Sequence, residues 1–106
     1  MGRLIDEKYK LNVPIEKKKS IGFRYDYELD DYAYAFTCYS YQHAPVLICK
    51  LCLNDDTGDI LINVYDTNGV TYAPFYQGED RSDVLPIVET NIRKELHKIG
   101  TRRKHK

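Results

Sequence analysis

The dipeptide Asn68-Gly69, set inside the run ILINVYDTNGVTYAPFY at residues 60–76, constrains this chain more than any other feature. Two β-rich runs flank it, and Asn-Gly is the residue pair that a two-residue type I′ hairpin turn requires, because both central positions need φ > 0. Such a turn fixes the register. Thr67 lies opposite Val70, Tyr65 opposite Tyr72, Val64 opposite Ala73, Ile62 opposite Phe75 and Leu61 opposite Tyr76. Ile62, Val64, Ala73 and Phe75 then share a core-facing side. Leu61, Asn63, Tyr65, Tyr72 and Tyr76 share the other, where rings with polar tips suit partial exposure.

The preceding residues extend the sheet. Six of the ten tyrosines fall between Tyr25 and Tyr41, a density that favours strands. From Phe23 to Leu29 apolar and charged residues alternate, and a two-residue turn at Asp30-Asp31 would set Leu29 against Tyr32 and Tyr25 against Phe36. Gln42-His43-Ala44-Pro45 makes the next turn. Val46 to Leu53 is apolar on both faces except for Lys50, as befits a central strand. The turn formers at 54–59 admit two registers: a six-residue loop that pairs Leu53 with Ile60 and Leu51 with Ile62, which is preferred, and a three-residue bulged loop at 56–58 that pairs Leu51 with Asn63.

One helix follows. Asp83 caps it and Pro86 falls in its first turn, where no N–H is needed. Leu85, Val88, Ile92, Leu96 and Ile99 form an apolar stripe, Glu89 precedes Arg93 by four residues, and Gly100 ends the helix. The expected fold is α+β: an antiparallel meander of about five strands (23–29, 32–41, 46–53, 60–66 and 70–76) with a C-terminal helix (84–98) packed on one face. With 106 residues the chain has room for one such domain. It is expected at 21–100, between an irregular basic segment at 1–20, broken by Pro14, and a basic tail at 101–106.

The formal net charge of zero conceals a pattern. Residues 1–20 carry six cations against three carboxylates, residues 21–80 two against ten, and residues 81–106 eight against three. An acidic middle lies between basic ends. No apolar run reaches the roughly 18 residues of a membrane span, and no signal-peptide core or myristoylation signal opens the sequence. Three cysteines, an odd number, exclude a complete disulfide framework. A reduced, cytoplasmic protein is expected.

No catalytic constellation emerges. Cys49 and Cys52 have CxxC spacing, but within a strand their side chains point to opposite faces, unlike a redox motif at a helix N-terminus. With Cys38 and His43 they form four nominal zinc ligands, the most remote reading, because a zinc knuckle needs a turn there. Buried structural thiols are expected instead, and no cofactor. The aspartates at 55, 56, 59 and 66 lack the calcium-loop pattern.

Function is read as a small non-catalytic interaction or regulatory module. Its acidic, Tyr-rich sheet face, with Leu61, Tyr65, Tyr72 and Tyr76 as contact residues, would meet a protein partner or a second copy whose basic ends face it. The alternative is nucleic-acid association through Arg102, Arg103, Lys104 and Lys106, opposed by the acidity of the sheet.

Overall fold

A computed structural model of the chain describes residues 4, 7–39, 44–77 and 84–103. The turn residues Gln42 and His43, the cap Asp83, the side chain of Leu85, and Lys104 and Lys106 lie outside the described residues.

The described residues form an α+β fold. The strands are β1 (Tyr9–Leu11), β2 (Arg24–Asp26), β3 (Asp31–Tyr39), β4 (Pro45–Leu53), β5 (Asp59–Tyr65) and β6 (Thr101–Arg103). They make one antiparallel sheet in the order β2-β3-β4-β5-β1-β6. The helices are α1 (Lys18–Ile21), α2 (Ala73–Gln77) and α3 (Val84–Ile99).

Two long pairings make the centre. β4 meets β5 with Leu53 opposite Ile60 and Leu51 opposite Ile62, the register of the six-residue loop. Asn54 holds that loop by accepting from the N–H groups of Asp56 and Thr57 on Oδ1, and Gly58 supplies φ 80°. β3 meets β4 with Tyr34 opposite Leu51 and Phe36 opposite Cys49. Paired residues share a face. Tyr32, Tyr34, Phe36 and Cys38 therefore lie with Leu47, Cys49, Leu51 and Leu53, and with Ile60, Ile62 and Val64. α3 covers this face, burying Val88, Ile92, Leu96 and Ile99 against it. Each such side chain contributes about 1.5–3 kcal/mol by leaving water. Gly100, at φ 86°, ends the helix.

Several expectations need correction. Residues 70–76 are not a strand. A type I′ turn needs φ > 0 at Asn68 as well as Gly69, and among the described residues the only non-glycine with positive φ is Asp30. Asp66 builds a wider loop instead: its Oδ1 accepts from the N–H groups of Asn68 and Val70, and its N–H donates to the Val70 carbonyl. Tyr65 then pairs with Thr71, one residue off the expected register. The chain coils into α2, where Pro74 sits in the first turn; in a ladder it would lack a donor.

β2 is also shorter than residues 23–29, and Tyr25 pairs with Tyr32 rather than Phe36. Asp26 stops the strand by accepting from the N–H groups of Glu28 and Leu29 on Oδ1, and Asp30 takes φ 52°. The shift is an even number of residues, so each side chain keeps its expected face.

Described parts of both end segments belong to the fold. The segment read as irregular supplies β1, which pairs with β5 on one side and with β6 on the other. The segment read as a basic tail begins with β6. Leu4 and Leu11 enter the core. The expected Glu89–Arg93 surface pair is drawn inward: the Leu4 N–H donates to Glu89 Oε2 at 3.0 Å, and Arg93 Nη2 lies 2.5 Å from Glu7 Oε1. Residues between β1 and β2 pack on the helix side, with Lys18 Nζ 4.3 Å from the Tyr32 ring centroid and the Phe23 and Tyr34 rings 5.8 Å apart. They leave the opposite face of the sheet to its own side chains.

Candidate interaction face

That opposite face is centred on β4, where Ile48, Lys50 and Cys52 alternate with the buried leucines. By the register, Ala33, Ala35 and Thr37 of β3 flank them on one side and Leu61, Asn63 and Tyr65 of β5 on the other. Arg24 and Asp26 extend the face onto β2. Ile48, Lys50, Asn63 and Tyr65 are half-buried, and Leu61 is 65% exposed.

Lys50 organises the middle. A cation inside an otherwise apolar strand requires a counter-charge, and Asp26 Oδ2 lies 2.6 Å from its Nζ. The hydrogen bond from Lys50, aided by backbone donors and opposed by burial, holds the Asp26 carboxyl below its ordinary pKa. The same bond, against burial, raises that of Lys50. Asp26 thus ends β2 with one oxygen and neutralises the sheet with the other. Lys50 Nζ also lies 5.8 Å from the Tyr65 ring centroid, within range of cation–π attraction. The turns after β2 and β5 curl over the rim, and with Ile48, Lys50 and Tyr65 they enclose a depression of about 330 Å³, walled by Glu28, Leu29 and Gly69.

The sequence-predicted contact residues are divided. Leu61 and Tyr65 lie on this face. Tyr72 and Tyr76 do not join them, because α2 replaces the expected strand. Tyr72 packs against the core cluster and donates its N–H to the Val64 carbonyl; Tyr76 Oη accepts from the Val64 N–H at 3.0 Å. Both close the edge of β5 beyond the reach of β1. The face is also less acidic than expected, since Lys50 and Arg24 stand among Asp26, Glu28 and Asp31. Asp26 and Lys50, which centre this face, were not singled out in the sequence. Their signal was the lone charge in the run 46–53, which had to find a carboxylate.

The thiols pack rather than converge. Cys38 and Cys49 lie on the helix-covered face and Cys52 on the other, where its Sγ is 3.1 Å from Asn63 Nδ2. Cys49 and Cys52 therefore point away from each other and cannot bind one ion together. Burial pushes the Cys38 thiol up to about 11, and the Cys49 thiol well above its ordinary value. Among the described residues no cluster of three or more His, Cys, Asp or Glu side chains is arranged for a metal.

Of the proposed nucleic-acid contacts, Arg102 and Arg103 are exposed on β6, and Arg103 Nη1 lies 3.8 Å from Glu7 Oε2. Burial of Glu7 works against its charge. Hydrogen bonds from Tyr9 and Arg93, with the charges of Arg93 and Arg103, outweigh this and lower its pKa. No described helix is long and apolar enough to cross a membrane. The chain matches no family model, no curated protein and no solved structure.

Proposed function

We propose that this protein is a non-catalytic binding module whose contact surface is the uncovered sheet face around Lys50 and Tyr65. One observation carries the reading. A depression lined by half-buried Ile48, Lys50 and Tyr65, with the Lys50 charge neutralised by Asp26, stands on a face that no described helix covers. Such a site accepts an apolar anchor side chain and excludes water from around it. Glu28 in its wall favours a basic residue beside that anchor, and opposite charge speeds the encounter. The buried, protonated thiols suit packing rather than nucleophilic attack, and as free cysteines they fit a reducing compartment such as the cytoplasm.

The test is affinity capture from the native host with wild-type protein, Tyr65→Ala and Ile48→Asp, each checked for folding by thermal melting. A protein retained by the wild type and lost from both folded variants is the expected result. Retention by both variants would move the contact elsewhere. Arg102→Ala with Arg103→Ala separates the alternative reading: nucleic acid retained at low salt and lost with this pair would favour a nucleic-acid-associated role.

A further inference from the structure

The sheet protects nearly all of its edge. β6 is three residues long and carries exposed Arg102 and Arg103, and β2 is equally short and carries Arg24 and Asp26. Beyond β1, the edge of β5 is closed by Tyr72 and Tyr76. Short strands, charges and covering segments are the usual means of blocking edge-to-edge association.

β3 lacks them. β2 pairs only with residues 31–33, and among the described residues no strand lies beside 34–39 on that side. The direction of its backbone groups follows from the register. Val64 turns its N–H and C=O away from β4, toward Tyr76 and Tyr72. Alternation along β5 then aims Asn63 and Tyr65 at β4. Carried across the ladder, this aims Tyr34, Phe36 and Cys38 of β3 at β4, and Ala35 and Thr37 outward. No backbone partner meets Ala35 or Thr37 among the described residues. The run Tyr34-Ala35-Phe36-Thr37-Cys38-Tyr39 holds no charge, proline or glycine; its one irregularity is a register shift against β4 between Cys38 and Tyr39, which leaves 34–38 regular.

We infer that a second copy of this chain pairs here, β3 against β3, antiparallel about a two-fold axis through Thr37. An uncharged strand meets itself without like-charge repulsion, and an antiparallel pair is self-complementary. With Thr37 opposite Thr37, the outward groups of Thr37 in each copy meet those of the other, and Ala35, whose side chain is small and exposed, lies opposite Tyr39, which follows the register shift and is 51% exposed. β2 stops at Ala33 and leaves room; a register centred nearer Ala33 would collide with it. This contact uses the backbone edge of β3; the Ala35 and Thr37 side chains border the face around Lys50, but the pairing does not depend on the reading above. It is also indifferent to salt, unlike a dimer of basic ends on an acidic face.

Sedimentation equilibrium over a range of protein concentrations at low and high salt tests it, with thermal melting as the check on folding. The wild type is expected to dimerise reversibly, with little change between salts. Thr37→Pro removes an outward donor that the chain itself does not use and is expected to raise the dissociation constant about tenfold or more. Thr37→Lys and Thr37→Glu place like charges on the axis, so each alone is expected to be monomeric and an equimolar mixture dimeric. A wild type that stays monomeric up to roughly 1 mM overturns the inference. So does a dimer that survives Thr37→Pro and is lost in Tyr65→Ala. That result would assign self-association to the uncovered face and leave the binding-module reading standing.

Discussion

On the side under α3, β4 presents Leu47, Cys49, Leu51 and Leu53, all buried. On the other side the same strand presents Ile48, Lys50 and Cys52, and only the cysteine is buried. The first side is a jigsaw in which each apolar side chain touches several others. The second is held by few contacts, chief among them one ion pair and the turn that Asp26 ties to it. Stability should therefore concentrate on the covered face, while the other is left free to meet something else.

The largest test of that contrast lies in α3. Ile92→Ala and Leu96→Ala should each cost about 2–5 kcal/mol in urea denaturation, the cost of emptying a packed core site. Losses near those of a surface change would mean that the helix does not hold the sheet. Next comes Asp26. Removing it leaves Lys50 half-buried without its counter-charge and frees the turn, so Asp26→Ala should cost about 1–3 kcal/mol. Asp26→Asn keeps the turn acceptor and should cost less. Because the folded-state pKa of Asp26 is lowered, its contribution is complete above the unfolded value and is lost as pH falls through the folded one. Glu7 acts in the same sense. Asp26→Asn should therefore flatten the acid side of the stability profile without abolishing it. An unchanged profile would show that the pair does not couple to folding.

Gly69→Val probes the rim. Nothing lies within 4 Å of an added Cβ, but φ is 84°, so the cost should be backbone strain alone, about 1–2 kcal/mol. The smallest effect belongs to Leu61. At 65% exposure, Leu61→Ala should shift stability by less than about 0.5 kcal/mol. A larger loss would mean that Leu61 is buried in solution, as in an oligomer that covers the uncovered face.

Features carried by several alternating residues were legible in the sequence. The β4–β5 register was legible only as a preference: Leu53 with Ile60 and Leu51 with Ile62 keep apolar side chains together, but a bulged loop at 56–58 competed with it in the sequence. The α3 stripe persists from Val88 to Ile99. What failed depended on single side chains bonding to the backbone. Asp66 widened the Asn-Gly loop and Asp26 ended β2, and neither leaves a periodic trace. β1 could be weighed only as one alternative, an edge strand or a turn of helix, and β6 was not seen, because three residues show no period and their pairing joins segments far apart in sequence. On the uncovered face, alternation placed Leu61 and Tyr65 together as the structure does, Tyr72 and Tyr76 were misplaced along with the strand that became α2, and the Lys50–Asp26 pair needed the tertiary fold to appear.

β1 lies between β5 and β6, which gives the molecule a timetable. As the chain leaves the ribosome, Tyr9–Leu11 emerges early but finds β5 only after the central hairpins are out, and β6 only after α3 is complete. Until then its outer backbone groups, and the core places of Leu4 and Leu11, await partners. This edge should be the last part to gain protection from hydrogen exchange during refolding, and a nascent chain halted before residue 101 should hold its central strands while β1 stays accessible to protease.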